Sequence, residues 1–201
     1  MKAIGLLVVL MCAQAAAAQE WPFELWHDGK VVLESGDTLK GAIKYDFQND
    51  VIQLNQQNKV EAYTARKVLF YEIFDATVKR YRQVFSLPYS ATGGYKAPVF
   101  FELLEDGKIT LLCREALEYR TVSSPYFFYG AHTRLVLVYK FFVMRENGTI
   151  FPMENPKRTD WLNLMGRFSD EVQEYAKKNK LNFEEKYDLM RIIAYYNSLF
   201  Q

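Results

Sequence analysis

The sequence predicts a mainly β protein of the α+β class, an antiparallel sandwich or small barrel of about ten strands with two or three C-terminal helices packed on it. Three observations predict it. From Val31 to Met153, short β-type runs alternate with turn residues, and most connections are too short for the crossovers a parallel sheet needs. The chain carries 15 Phe and 14 Tyr, rings that favour strands and bury much area each. At Asn155-Pro156 the hydrophobic period changes from that of a strand to that of a helix.

Each β element has its own signal. Trp21-Pro22-Phe23 leads into Trp26-His27-Asp28-Gly29, where Asp-Gly reads as a turn before a strand over Lys30–Glu34. In the next run Leu39, Ile43 and Tyr45 alternate with Lys40, Ala42, Lys44 and Asp46, with Gly41 in the inward register. That is a strand with one face in the core, bounded by Ser35-Gly36-Asp37 and Gln48-Asn49-Asp50. Lys67–Phe74 has apolar residues on both faces: Val68, Phe70 and Phe74 on one, Leu69, Tyr71 and Ile73 on the other. A central strand buried on both sides is expected there, with a partner for Glu72.

Lys79–Tyr89 is the next run, and Ser90–Lys96 around Gly93-Gly94 is the clearest loop. Two hairpins follow. Pro98–Glu105 and Lys108–Arg114 flank Asp106-Gly107, while Arg134–Met144 and Thr149–Met153 flank Asn147-Gly148. Between them, Glu115–Thr133 shows no clear period and holds the aromatic cluster Tyr126-Phe127-Phe128-Tyr129.

In the tail, Thr159 is the expected N-cap of a short helix that buries Trp161, Leu162 and Met165 and stops at Gly166. Ser169 is the expected cap of a second, with Asp170 and Glu171 in its first turn and Lys177 and Lys178 in its last, matching the helix dipole. Asn182 and Glu185 suggest a capping box for a third, whose stripe runs through Tyr187, Met190, Ile193 and Ala194, widened by Leu189, Ile192 and Tyr196. Helices this short need a surface to pack on, and the β region supplies it.

The first residues read as an export signal. Lys2 gives the positive start, Ile4–Met11 the apolar stretch, and Ala16 and Ala18 the small residues of a cleavage site. The expected division is therefore 1–18 signal peptide, 19–154 β-rich domain and 155–201 helical segment. The apolar stretch is too short to span a membrane, and no later one is long enough. Cys12 raises the alternative of a lipidated cysteine, but Met11 is not the small residue that processing requires. Removal of residues 1–18 would leave Cys113 alone, so the fold cannot depend on internal disulfides. A net charge of +1 gives no electrostatic footprint for nucleic acid.

The tail LNLMGRFSDEVQEYAKKNKLNFEEKYDLMRIIAYYNSL, preceded by the hairpin LVYKFFVMRENGTIFPM, resembles the C-terminal part of exported proteins widespread in Bacteroidetes. In those, a lysine-rich helix runs into an NKLNF turn and then a helix ending in YYN. The strand and turn at Ser35–Gly41 is also similar to theirs. The resemblance implies compartment and lineage, and it transfers no active site.

The sequence carries few signatures of catalytic or metal chemistry. His27, His132 and Cys113 have no metal-ligand spacing, so no metal or other cofactor is expected and the histidines read as surface or loop residues. No G-x-S-x-G elbow, P-loop, dinucleotide fingerprint or Ca²⁺ loop is present. Glu72, Glu102 and Glu105, in or beside apolar strands, are the carboxylates that could serve glycoside hydrolysis. Lys79, Arg80 and Arg82, interleaved with Tyr81 and Phe85, read either as an anion- or glycan-facing patch or as the charged face of an edge strand. A transmembrane barrel would need a closing strand where the chain instead turns helical.

The leading expectation is a non-enzymatic exported protein of the periplasm or envelope. It would bind an envelope protein, glycan or lipid headgroup through Tyr89, Tyr95, Tyr126 and Tyr129, with Arg80 and Arg82 nearby. The alternatives are a carboxylate-dependent hydrolase of envelope polysaccharide and a structural subunit of an envelope assembly.

Overall fold

The computed structural model describes residues 21–122 and 132–200. Ten strands follow a short 3₁₀ turn at Pro22–Glu24. They are β1 (His27–Leu33), β2 (Thr38–Asp46), β3 (Val51–Gln56), β4 (Lys59–Thr64), β5 (Val68–Asp75), β6 (Arg80–Tyr89), β7 (Ala97–Glu105), β8 (Thr110–Val122), β9 (His132–Met144) and β10 (Ile150–Met153). All belong to one sheet in the order β10-β9-β8-β7-β6-β5-β1-β2-β3-β4, and every neighbouring pair is antiparallel. Helices α1 (Arg158–Met165), α2 (Ser169–Lys178) and α3 (Lys186–Ser198) close the chain, the first two joined by a 3₁₀ turn. The mainly β, antiparallel class with a helical tail packed on it is thus what the chain forms, and the sheet is unclosed. No helix among the described residues is long and apolar enough to cross a membrane.

The sheet curls strongly. Tyr45 on β2 and Glu115 on β8 are five strand positions apart, which in a flat sheet is roughly 24 Å. Yet the Tyr45 hydroxyl donates to Glu115 Oε2 at 2.9 Å. One half of the concave face therefore closes on itself over Val31, Ile43, Ile52, Leu54, Tyr71, Ile73, Val84 and Phe100, all essentially inaccessible to solvent. The other half, over Leu111, Cys113, Phe141 and Val143, is covered by Trp161, Met165, Val172, Leu189 and Ile193 from the three helices. Cys113 is a small buried apolar residue, as its strand context suggested.

Two glycines allow the tightest part of that bend. Gly29 and Gly41 face each other across β1 and β2. A Cβ on Gly29 would lie 2.2 Å from the Glu72 carbonyl oxygen, and one on Gly41 2.4 Å from that of Asn55. Gly29 is therefore inside a strand and not in the turn its Asp-Gly pair suggested, because close backbone approach outweighs turn propensity.

Several local expectations are corrected. β5 is central, but only one of its faces is buried: Tyr71, Ile73 and Asp75 point inward while Leu69 and Phe74 are exposed. Glu72, on the outer face, is met by Lys30 at 3.1 Å and by Gln83 at 2.9 Å. β6 lies between β5 and β7, so Lys79–Tyr89 is no edge strand. His27 is buried, its Nε2 2.7 Å from the Pro22 carbonyl oxygen. Glu115–Thr133 contains the outer part of β8 and the first two residues of β9, and its aromatic run Tyr126–Tyr129 lies outside the described residues.

Among the helices, Gly166 ends α1 at φ 55° as expected, but the expected N-caps do not form. Thr159 lies one residue inside α1, where the Asp160 carboxylate accepts from the Lys157 amide. Ser169 continues from the 3₁₀ turn with helical φ and ψ. Asn182 Oδ1 accepts from the Glu184 amide before α3 begins, so no capping box forms with Glu185. The α3 stripe is also rotated: Leu189, Ile192, Ile193 and Tyr196 are buried with Lys186 and Asn197 in line, while Tyr187, Met190 and Ala194 lie at its margin.

Asn197 pins that helix to the β7–β8 hairpin. Its Oδ1 accepts from the Ile109 amide at 2.9 Å and its Nδ2 donates to the Ile109 carbonyl at 3.0 Å. Gly107, at φ 153°, makes room, since a Cβ there would sit 2.6 Å from Asn197 Nδ2.

Replacing Gly29 by Ala is expected to cost about 2–3 kcal/mol, because the clash is with backbone that cannot rotate away. Urea unfolding of Gly29→Ala beside wild type checks it; an unchanged midpoint would mean that the strands separate there freely.

Candidate functional site

The site begins where β7 and β8 part. They pair only between Glu102–Glu105 and Leu111–Cys113. Beyond Cys113, β8 leans away and the β2–β3 turn wedges into the gap. Asp50 of that turn accepts from the Phe100 amide at 2.8 Å and from Arg114 Nη1 at 2.7 Å. Arg114 Nη1 also donates to the Phe100 carbonyl at 2.5 Å, and its Nη2 donates to the Phe47 carbonyl. The Phe100 backbone groups that a straight β8 would have paired are thus taken by side chains.

Behind the wedge lies a buried charge network centred on Arg82. Its Nη1 donates to Asp75 Oδ2 at 2.9 Å and to the Tyr45 hydroxyl at 2.7 Å. Its Nη2 donates to Glu102 Oε2 at 2.7 Å and to Glu115 Oε1 at 2.6 Å. Lys186 reaches in from the first turn of α3 and bonds Glu102 Oε2 at 2.8 Å. All five charged residues are under a tenth exposed. They are placed by strand parity: Ile73 faces Arg82 across β5 and β6, Val84 faces Glu102, and Glu102 faces Cys113, all on the concave face.

Two cations meet three carboxylates here, one negative charge in excess. Burial alone would raise the Glu102 carboxyl, but Arg82 and then Lys186 hold it below the usual carboxylate range. At Asp75 the Thr77 hydroxyl and Arg82 likewise outweigh burial. Burial works against the charge on Arg82 and on Lys186 too, yet the facing carboxylates raise both above their ordinary values. Burial pushes the Tyr45 and Tyr71 phenols up, so both stay protonated. The Tyr139 phenol, whose ring lies under Lys186 Nζ at 4.8 Å, is pushed up to about 12 by burial.

In front of the network opens a cleft of about 390 Å³ between β2 and the outer part of β8. Tyr45 and Glu115 join its floor to the network, while Phe23, Phe47, Val51 and Leu117 supply apolar wall. Glu24, Asp46 and Lys44 are the other charged groups lining it.

The residues singled out in the sequence do not assemble around this cleft. Arg82 is interior, with both Nη atoms engaged and only Nε without a partner, so it is no surface patch. Arg80 is exposed, its guanidinium 4.8 Å above the Tyr187 ring. Tyr89 is half-buried, edge-to-face with Phe101 and Phe142. Tyr95 is exposed in the β6–β7 loop, and Tyr126 and Tyr129 lie outside the described residues. Of the three carboxylates offered for hydrolysis, Glu102 and Glu72 are held low, Glu72 by its bonds from Gln83 and Lys30; only Glu105 is raised, by burial and then Asp106. Glu105 does not line the cleft. Glu115 and Asp46, which do, accept hydrogen bonds from Arg82 and Tyr45 and from the Gln48 and Asn49 amides.

Replacing Arg82 by Met should cost about 3–5 kcal/mol at pH 7, since it leaves Asp75 and Glu115 buried without a cation and Glu102 with Lys186 alone. Protonation of Asp75 and Glu102 relieves part of the defect, so the gap to wild type should narrow as pH falls toward 4. In wild type the lowered folded-state pKa of Asp75 and Glu102 stabilises above their unfolded values near 4, and this contribution is lost as pH falls through the folded ones. Chemical denaturation of both proteins across this range checks it; a pH-independent difference would contradict the charge assignment. No protein-family model, no curated protein and no solved structure matches the chain, so its function is to be sought in these side chains.

Proposed function

We propose that the protein is an exported, non-enzymatic binding module of the periplasm or cell envelope that takes its ligand in the cleft between β2 and β8. The cleft itself carries the reading. Its volume of about 390 Å³ falls within the range of small-molecule sites, and it combines aromatic wall with a few fixed polar groups. The floor needs no rearrangement to receive a ligand, because Arg82 already holds Tyr45 and Glu115 in place. Glu24, Asp46 and Glu115 against Lys44 make the lining acidic on balance, which favours a neutral or amine-bearing polar group over an anion. A glycan or an amine-bearing lipid headgroup has that chemistry. The N-terminal export signal and the likeness to exported Bacteroidetes proteins support the compartment.

The test uses soluble N-acetylglucosamine oligomers and vesicles of phosphatidylethanolamine as probes. Wild type should bind one of them, and Leu117→Trp, which fills the cleft, should weaken binding about tenfold or more, ~1.4 kcal/mol. Tyr95→Ala, in the β6–β7 loop, should bind as wild type does. Equal binding by the filled variant, or loss in the loop variant alone, would move the site out of the cleft; binding of neither probe would overturn the ligand class.

A further inference from the structure

β8 and β9 pair over their whole length, from Thr110 opposite Met144 to Val122 opposite His132. Their outer neighbours engage only the base. β7 reaches Leu111–Cys113 and β10 reaches Phe141–Met144. Residues 114–122 and 132–140 therefore form a two-stranded ribbon whose outer edges pair with no other strand among the described residues. Such edges are templates for strand addition; neither stretch contains proline or a described bulge, and what guards them is charge, Glu118 and Arg120 on one and Arg134 and Lys140 on the other.

The two edges differ in charge pattern. On β9, Arg134 and Lys140 are equally spaced about Leu137, so a two-fold axis at Leu137 would set cation against cation. On β8, Glu118 and Arg120 flank Tyr119. A two-fold axis there sets each Glu118 opposite the other copy's Arg120, twice over.

Arg120 faces like charge. It lies directly opposite Arg134 across the ribbon. Among the described residues its one ion pair is with Glu118, 3.8 Å away and already bonded by Lys140. The Tyr119 side chain at the axis is 79% exposed.

We propose that the free edge of β8 pairs antiparallel with the same edge of a second copy of this chain, about Tyr119. The pairing joins two marginal ribbons into one four-stranded sheet, β9-β8-β8-β9, with Glu118–Arg120 ion pairs across the seam. It continues the apolar stripe of Leu117, Leu137, Tyr119 and Leu135 from one copy into the next.

Sedimentation velocity on the full mature chain tests it. Wild type should show a concentration-dependent monomer–dimer equilibrium. Arg120→Glu and Glu118→Arg should each shift it to monomer, and the double exchange should restore the dimer. Two cysteine variants locate the axis: Tyr119→Cys should cross-link under mild oxidation, Leu137→Cys should not. A monomer at all concentrations overturns the proposal. So does a dimer that survives both single exchanges, a double exchange that stays monomeric, or cross-linking through position 137 in place of 119.

Discussion

Everything in the molecule's shape converges on the guanidinium of Arg82. It stands on β6 and holds side chains from β2, β5, β7 and β8, and through Glu102 it reaches Lys186 on α3. Apolar contacts would hold a curled sheet at many degrees of curl, because they are not directional. A forked cation with four acceptors fits one. Burying these charges is costly and the mutual attraction does little more than repay it, so the net stabilisation is small. The effect lies in discrimination: any other curl leaves charges buried without partners.

The same logic sets the helices. α3 carries a polar residue at each end of its buried stripe, Lys186 and Asn197, about 16 Å apart along the helix. One bonds Glu102 and the other the Ile109 backbone, so the helix cannot slide or roll by a residue without losing both. Leu189, Ile192, Ile193 and Tyr196 between them supply the burial energy but would tolerate neighbouring registers.

What was legible in the sequence was whatever depends on neighbours a few residues away. The alternation from Leu39 to Tyr45, the Asp106-Gly107 and Asn147-Gly148 hairpins, the stop at Gly166 and the change of period after Asn155 all reappear as elements or boundaries. Gly29 misled because Asp-Gly is a turn signal locally, and only the Glu72 carbonyl on a strand far along the chain explains the glycine. Arg82 misled for the same reason: an alternating Lys-Arg-Tyr-Arg run has the pattern of a charged edge. Yet a trace of the network was present. Glu102 shares the inward parity of Phe100 and Leu104, Arg82 that of Val84, and Lys186 stands on the stripe of Leu189 and Ile193. Charges of both signs at core-facing positions on separate elements call for one another. The partner of each was not readable, because pairing depends on a strand order, β5 beside β1 and not β4, that no local pattern encodes.

The cleft follows from a compromise in the same sheet. If β8 ran straight along β7, its backbone would satisfy Phe100 and leave no opening. Instead Asp50 and Arg114 take over those hydrogen bonds, and the wedge of the β2–β3 turn keeps the strands apart. Two side chains thus replace part of a strand ladder without leaving Phe100 unpaired, and the outer half of β8 is freed to overhang β2. The ribbon that results has a rigid base, anchored by Glu115 on Arg82, and outer edges that pair with no other strand among the described residues. A sheet that gave up pairing there for stability alone would gain nothing.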